Sequence, residues 1–181
     1  VLDSGALDGV RAIFGGHVDR RFEVGQVVAQ AGPLAASADM FTITLTGRGA
    51  HGARPHKSAD PVVGSAELIL ALQTIVSRRL DPALPGVITV GSIHGGKAPN
   101  VIPESVDLAG TIRATTAATR ALLAAELTRV THAVAATHQL TAHVMISDGT
   151  PPLENSRDAA AWAADAVRDV LGASALQPLG T

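Results

Sequence analysis

A short loop of small residues carries two histidines five positions apart. The stretch GAHGARPH (residues 49–56) contains both, and arginines lie on either side of His51. An imidazole can donate a hydrogen bond, take up a proton or bind a metal. Zinc motifs place paired histidines on one helix face or close a loop with further ligands, which this spacing does not match. His51 is therefore either a functional residue or an ordinary loop histidine, and His56 is interpreted as a cap of the loop, with any further role left open.

A second loop, GGKAPNVIP (residues 95–103), ends at a strand that contains Arg113. The amide of Asn100 could donate to a carbonyl or carboxylate, although asparagine is also common in turns. The glycines and lysine do not follow the spacing of a phosphate-binding loop, which excludes a nucleotide site. The Arg113 guanidinium could bind a substrate carboxylate through two parallel hydrogen bonds, or it could form a surface ion pair.

A further candidate follows an apolar run near the beginning of the chain. Residues 10–18 (VRAIFGGHV) are typical of a buried strand that leads into a loop, so His17 would lie at the end of that strand. Open α/β sheets gather their ligand sites at this edge. A lone histidine proves little, and the histidines at 94, 132, 138 and 143 have no partner spacing and are interpreted as structural or solvated.

The composition excludes several classes of protein. The 181 residues include no cysteine, 46% are hydrophobic, and the formal net charge is -2. Without thiols, any metal must be bound by histidine and carboxylate groups. The chain has neither the basic field nor the aromatic platform that binds nucleic acid, and no apolar run approaches the roughly 20 residues that span a bilayer. We therefore predict a cytoplasmic protein without nucleic-acid or membrane partners.

Hydrophobic periodicity divides the chain into elements. Residues 39–47 alternate between apolar residues and threonine, which is typical of a half-buried strand. Asp60-Pro61 indicates the start of a helix, and the apolar positions that follow recur at helical spacing as far as Leu80. The same reasoning predicts strands at 25–32, 86–93, 105–113 and 140–147, and helices at 115–137 and 158–171.

The elements from residue 39 to 148 follow the order strand, helix, strand, strand, helix, strand. The simplest packing of this order is an α+β fold, a ferredoxin-like four-stranded antiparallel sheet with both helices on one face. Such a sheet leaves an edge strand that could pair with the same edge of a second copy and give a two-fold dimer. Pro151-Pro152 indicates a boundary, so we predict three segments, 1–38, 39–148 and 149–181.

Taken together, these segments resemble the zinc-dependent aminoacylase and carboxypeptidase family of metallopeptidases, particularly the branch with hippurate hydrolase and indoleacetyl-amino acid hydrolases. The resemblance covers almost the whole chain. It is carried by FGGHVD (14–19), VGQVVAQAGPLAASADMFTITLTGRGAHGARPH (24–56), DPVVGSAELILALQTIVSR (60–78), GGKAPNVIPESVDLAGTIR (95–113) and PPLENS (151–156).

The resemblance implies an α/β catalytic domain that holds two divalent metal ions, zinc or else manganese or cobalt, and is interrupted by a dimerisation (lid) domain. Residues 39–148 would be the lid domain, flanked by remnants of the catalytic domain. By resemblance, His17 is a metal ligand, and His51 reaches the partner's active site to stabilise the oxyanion. Asn100 and Arg113 would bind the amide and carboxylate region of the substrate.

The implied function is that of a metallo-amidohydrolase, which cleaves the amide bond of N-acyl amino acids or similar conjugates with metal-activated water. The other metal ligands and the catalytic glutamate would lie before residue 1 and after Thr181. We therefore expect this chain alone to be inactive, to bind no metal stably and to form a homodimer through residues 39–148. The alternative is a stand-alone ferredoxin-like dimerising or ligand-binding module without catalysis.

Overall fold

The computed structural model describes residues 2–180. It divides into two compact units, which we call the central unit (Ala35–Leu153) and the flanking unit (the described residues before and after it). No helix among the described residues has the length and apolarity that crossing a bilayer requires.

The elements follow the chain in this order. The strands are β1 Gly32–Ala35, β2 Ala38–Thr46, β3 Ala50–His51, β4 Gly86–Gly95, β5 Val101–Ile102, β6 Ser105–Ala114, β7 Thr141–Thr150 and β8 Leu153–Asn155. The α-helices are α1 Pro61–Arg78, α2 Ala117–Thr137 and α3 Arg157–Leu171, and short 3-10 turns lie at Leu2–Ser4, Pro55–Lys57 and Ala173–Ala175.

The central unit has the predicted ferredoxin-like α+β fold. Its four long strands form one antiparallel sheet in the order β4-β6-β2-β7. Every second residue of β2 is buried, and the apolar ones, Phe41, Ile43 and Leu45, form one cluster with the buried faces of α1 and α2. Because the alternate residues of the strand stay open, both helices cover the same face of the sheet.

Local capping explains where the helices begin. The Asp60 carboxylate accepts hydrogen bonds from the amides of Val62 and Val63, and Pro61 occupies the first helical position of α1. The Thr116 hydroxyl accepts from the amide of Thr119 and starts α2 two residues later than predicted. Each cap satisfies amides that a helix leaves without partners in its first turn, which stabilises the helix by about 1 kcal/mol.

A carboxylate on α2 ties the two helices together. Glu126 is 8% exposed, and it accepts hydrogen bonds from the guanidinium groups of Arg129 and Arg79. These two cations, Arg129 foremost, lower the pKa of Glu126 to about 2. The Arg79 guanidinium comes from the residue that follows α1, so the pair sets the position of that helix end against α2.

The prediction of a buried strand at residues 10–18 is wrong. This segment contains no strand, and its apolar side chains are exposed, with Ile13 at 69% and Val18 at 88%. His17 therefore does not lie at the end of a strand. A strand requires a neighbour for its backbone groups, and no described residues pair with this run, which an apolar pattern alone cannot reveal.

The predicted strand at 25–32 is also largely absent. Val27 makes one isolated parallel bridge with Leu176, and regular pairing begins only at β1, which forms a two-stranded sheet with β8. The helix predicted at 158–171 is present as α3, whose N-cap is the Ser156 hydroxyl. The guanidinium of Arg11 lies 5.8 Å from the centre of the Trp162 ring on this helix.

Gly110 on the central strand β6 is the position where the sheet should tolerate a side chain least. A Cβ atom there would collide with the Thr89 carbonyl oxygen and the Phe41 ring, and the carbonyl is backbone that cannot turn away. We expect Gly110→Ala to lower the free energy of unfolding by about 3 kcal/mol through overpacking. Chemical denaturation of the purified variant measures this loss.

Gly91 on edge strand β4 is the matched control for that substitution. It lies at a bulge in the pairing with β6, and the nearest atom to its added Cβ would be the Ala109 carbonyl oxygen at 3.9 Å, an ordinary contact. Gly91→Ala should therefore change stability by less than about 1 kcal/mol. Equal losses for the two variants would contradict the steric explanation.

Candidate functional site

A small ladder at one end of the central unit brings two of the candidate residues together. In the β3–β5 pair, His51 lies opposite Val101, and the Gly52 amide donates to the Asn100 carbonyl at 2.7 Å. A Cβ atom on Gly52 would lie 3.0 Å from that oxygen, so the close approach favours glycine. We call the paired loops, residues 47–60 and 95–104, the loop end.

The hydrogen bonding of His51 determines what its ring can do. The backbone amide of Ala53 donates to Nδ1 at 3.1 Å. A nitrogen that accepts this bond carries no proton in the neutral ring, so the proton lies on Nε2. His51 is exposed, and no hydrogen bond to its Nε2 occurs among the described residues, so the Nε2–H is open to a ligand. The local turn therefore prepares an imidazole that can donate to an oxyanion.

Arg113 lies at the opposite end of the sheet. It pairs with Val87 near the start of β4, whereas the loop end follows Gly95 at the other end of that strand. The eight-residue separation between Ser105 and Arg113 along β6 corresponds to about 26 Å. A single small substrate therefore cannot contact Arg113 and the His51–Asn100 pair of the same chain.

The Arg113 guanidinium is available to a ligand. Its Nη1 donates to the Ile112 carbonyl at 3.2 Å and reaches the Asp39 carbonyl at 3.5 Å. Within residues 2–180 it forms no ion pair with a carboxylate. A half-buried, uncompensated guanidinium of this kind suits a carboxylate ligand.

Sequence reasoning missed a buried ion pair beside Arg113. The Asp39 side chain is buried, at 3% exposed. One of its carboxylate oxygens accepts a hydrogen bond from the Arg120 Nε at 2.7 Å, and the other accepts one from the Gly149 amide at 3.0 Å. The Arg120 guanidinium is the main cause that lowers the pKa of Asp39. A signal was present, because residue 39 is in phase with the inward-facing Phe41, Ile43 and Leu45, and a carboxylate in that phase requires a partner.

His17 lies in the flanking unit and is exposed. Its Nδ1 is 2.7 Å from the Val18 carbonyl, and nearby Asp19 is held by Arg21, which lowers the pKa of Asp19 to about 2. In the described part of the chain, no three His, Asp or Glu side chains come together as a metal site. These residues alone therefore do not fit a pair of metal ions. His56 lies exposed on the 3-10 turn Pro55–Lys57.

Comparisons with known proteins agree with this architecture. The chain is 41% identical over 155 residues to the N-acetyl-L-cysteine deacetylase of Bacillus subtilis, which covers 86% of this chain and 37% of that protein. It is 38% identical over 177 residues to the IAA-amino acid hydrolase ILR1-like 2 of Arabidopsis thaliana, covering 96% of this chain and 40% of that protein. The chain thus spans about 40% of the length of these relatives.

Solved structures and a family model agree with these two sequence relatives. The fold matches the crystal structure of the Bacillus subtilis YXEP protein, described as a dinuclear metal binding peptidase from the M20 family, with a TM-score of 0.75 and 27% identity. That match covers 93% of this chain and 42% of the solved one. The model of the peptidase dimerisation domain matches residues 37–139, more than half of the chain. The chain therefore belongs to the M20 peptidase family and carries the dimerisation domain of that family.

Proposed function

We propose that this chain works within a homodimeric, metal-dependent amidohydrolase that cleaves the amide bond of N-acyl amino acids or similar conjugates. The two relatives named above are a deacetylase and an amino acid conjugate hydrolase, which supports amide chemistry. The observation that carries the proposal is the separation of His51 and Asn100 from Arg113 at opposite ends of one sheet. This arrangement makes a complete site only when two copies combine.

The edge strand β4 is the surface that we propose for dimerisation. β4 and β7 are the two edges of the sheet, and β4 contains no Lys, Arg, Asp, Glu or Pro, whereas β7 contains Asp148. Charged residues and proline are what normally keep an edge from pairing. Helix α1 packs against β4, and its Leu70 is 72% exposed, so the helix that adjoins this edge also carries exposed apolar surface.

A two-fold axis through this edge would join the separated residues. Two copies of β4 related by such an axis run antiparallel, so the Gly95 end of one strand lies beside the Gly86 end of the other. The loop end, with His51 and Asn100, would thereby approach the partner's Arg113. The site would be composite, with residues from both subunits.

Each residue then has a role that its chemistry supports. The His51 Nε2–H would donate to the oxygen of the tetrahedral intermediate, where a positioned donor stabilises the developing charge. The Asn100 amide would bind the substrate near its scissile amide, and the partner's Arg113 would bind the carboxylate through two hydrogen bonds. His17 is the metal ligand that we assign to this chain. A pair of divalent ions, when bound, supplies the activated water.

Metal content and hydrolysis of N-acetyl amino acids test this function. The measurement compares the 181-residue chain with a form joined to the catalytic segments that its longer relatives contain. We expect the longer form to bind two divalent ions per subunit and to hydrolyse substrate, and the shorter chain to do neither. A longer form that dimerises and yet hydrolyses no N-acyl amino acid would instead favour a dimerising module without catalysis.

A further inference from the structure

The loop end around His51 concentrates exposed basic side chains. Arg48, Arg54, Lys57 and Lys97 are all exposed, and together we call them the basic collar. The only acids in the loop end are Asp60 and Glu104. The loop end therefore has a local excess of positive charge, although the protein as a whole has a formal net charge of -2.

Backbone hydrogen bonds hold the collar around His51. The Arg54 amide donates to the His51 carbonyl at 2.7 Å, and the Lys57 amide donates to the Arg54 carbonyl at 3.1 Å. Lys97 comes from the second loop, which the Gly52–Asn100 hydrogen bond joins to the first. The collar therefore belongs to the same local structure that presents the Nε2–H of His51.

The basic charge of the collar exceeds the acidic charge of the loop end, where Glu104 is the exposed acid. Within residues 2–180, none of the four side chains forms an ion pair with a carboxylate. Of the two acids, Asp60 is occupied as the N-cap of α1. Arg48 donates through Nε to the Lys57 carbonyl at 2.8 Å, which leaves the rest of its guanidinium without a carboxylate partner.

The composite site would thus contain more cations than a simple substrate requires. A conjugate with one carboxylate is matched by the partner's Arg113 alone. We infer that the basic collar makes the site select amide conjugates that carry a second acidic group, an inference that rests on the function proposed above. The first carboxylate of the substrate pairs with the partner's Arg113 and leaves the cations of the collar free. These cations attract the second acidic group.

Two pairs of substrates with equal size and different charge test the selectivity. N-succinyl-alanine against its terminal amide, N-succinamoyl-alanine, places the second acid on the acyl side, and N-acetyl-glutamate against N-acetyl-glutamine places it on the amino acid side. For the longer, metal-loaded form of the protein, we expect kcat/KM to favour the acidic member of one pair by about tenfold at low salt. This follows because each exposed ion pair contributes about two- to fivefold. The preference should fall as ionic strength rises.

The double variant Arg54→Ala/Lys97→Ala should reduce this ratio to about twofold or less. Arg157→Ala/Arg168→Ala, which removes the same charge from α3, is the matched control and should leave the ratio unchanged. Equal kcat/KM within both pairs, or equal loss in both double variants, would overturn the collar inference while leaving the amidohydrolase proposal intact. Hydrolysis of none of the four substrates and of no other N-acyl amino acid would overturn the proposed function, and the collar inference with it.

Discussion

A heterodimer built from two impaired variants, His51→Ala and Arg113→Ala, is expected to regain about half of the kcat/KM of the unaltered dimer. In a composite site, each active centre takes His51 from one subunit and Arg113 from the other. One centre of the heterodimer then carries both substitutions and the other carries neither, so one intact site of two remains. Either homodimer alone carries one substitution at every centre.

The size of the loss in each homodimer follows from the role of the residue. Removing one oxyanion donor lowers kcat by about 10²–10³-fold, which is the loss expected for His51→Ala. Arg113→Ala should act mainly by raising KM, and Arg113→Lys should also raise it, because a point charge replaces a planar fork. The measurement is hydrolysis by heterodimers of the longer form that are purified through two different tags.

The same heterodimer experiment can also reject the composite site. If each active centre used both residues of a single subunit, every centre of the heterodimer would carry one substitution, and no activity would return. A heterodimer as inactive as its parents would therefore reject the composite site. A double variant, His51→Ala/Arg113→Ala, paired with the unaltered subunit is the control, since a composite site leaves one substitution at each of its centres.

The second large effect concerns stability. Arg120→Ala is expected to lower the free energy of unfolding by about 3 kcal/mol, because it leaves the buried Asp39 carboxylate without its cation. Asp39 is 3% exposed and would retain only partial compensation from the Gly149 amide and neighbouring groups. Arg78→Ala is the control, because Arg78 is exposed and forms no ion pair within the described residues. It should cost less than about 0.5 kcal/mol.

The dependence on pH identifies the ion pair as the cause. The folded protein holds the pKa of Asp39 below its ordinary value of 3.8, with Arg120 as the main cause. A lowered folded pKa contributes stability that is present above the unfolded pKa and is lost as pH falls through the folded value. Urea unfolding of the unaltered chain should therefore show a free energy of unfolding that falls below about pH 4, and this fall should be smaller in Arg120→Ala. Parallel pH profiles would mean that Arg120 acts through packing instead.

The sequence predicted the positions of helices and strands well wherever buried residues recur at a regular spacing. The alternation of residues 39–47 predicted β2, and Asp60-Pro61 predicted the start of α1, because both patterns report a local rule about which side chains face the core. The order of elements then led to the four-stranded sheet. By contrast, residues 10–18 are apolar without being a strand, since strand formation depends on a partner that a local pattern does not contain.

The candidate site likewise depends partly on local sequence and partly on tertiary structure. The sequence by itself determined the residue types, the loop that carries His51, the ferredoxin-like order and the family resemblance. Only the tertiary structure decided that Asn100 joins His51, that Arg113 lies at the far end of the sheet, and that Asp39 is paired with Arg120. These three relations join residues that lie 49, 62 and 81 positions apart in the chain. Strand register and side-chain packing determine such distances, and neither is a property of any local stretch of sequence.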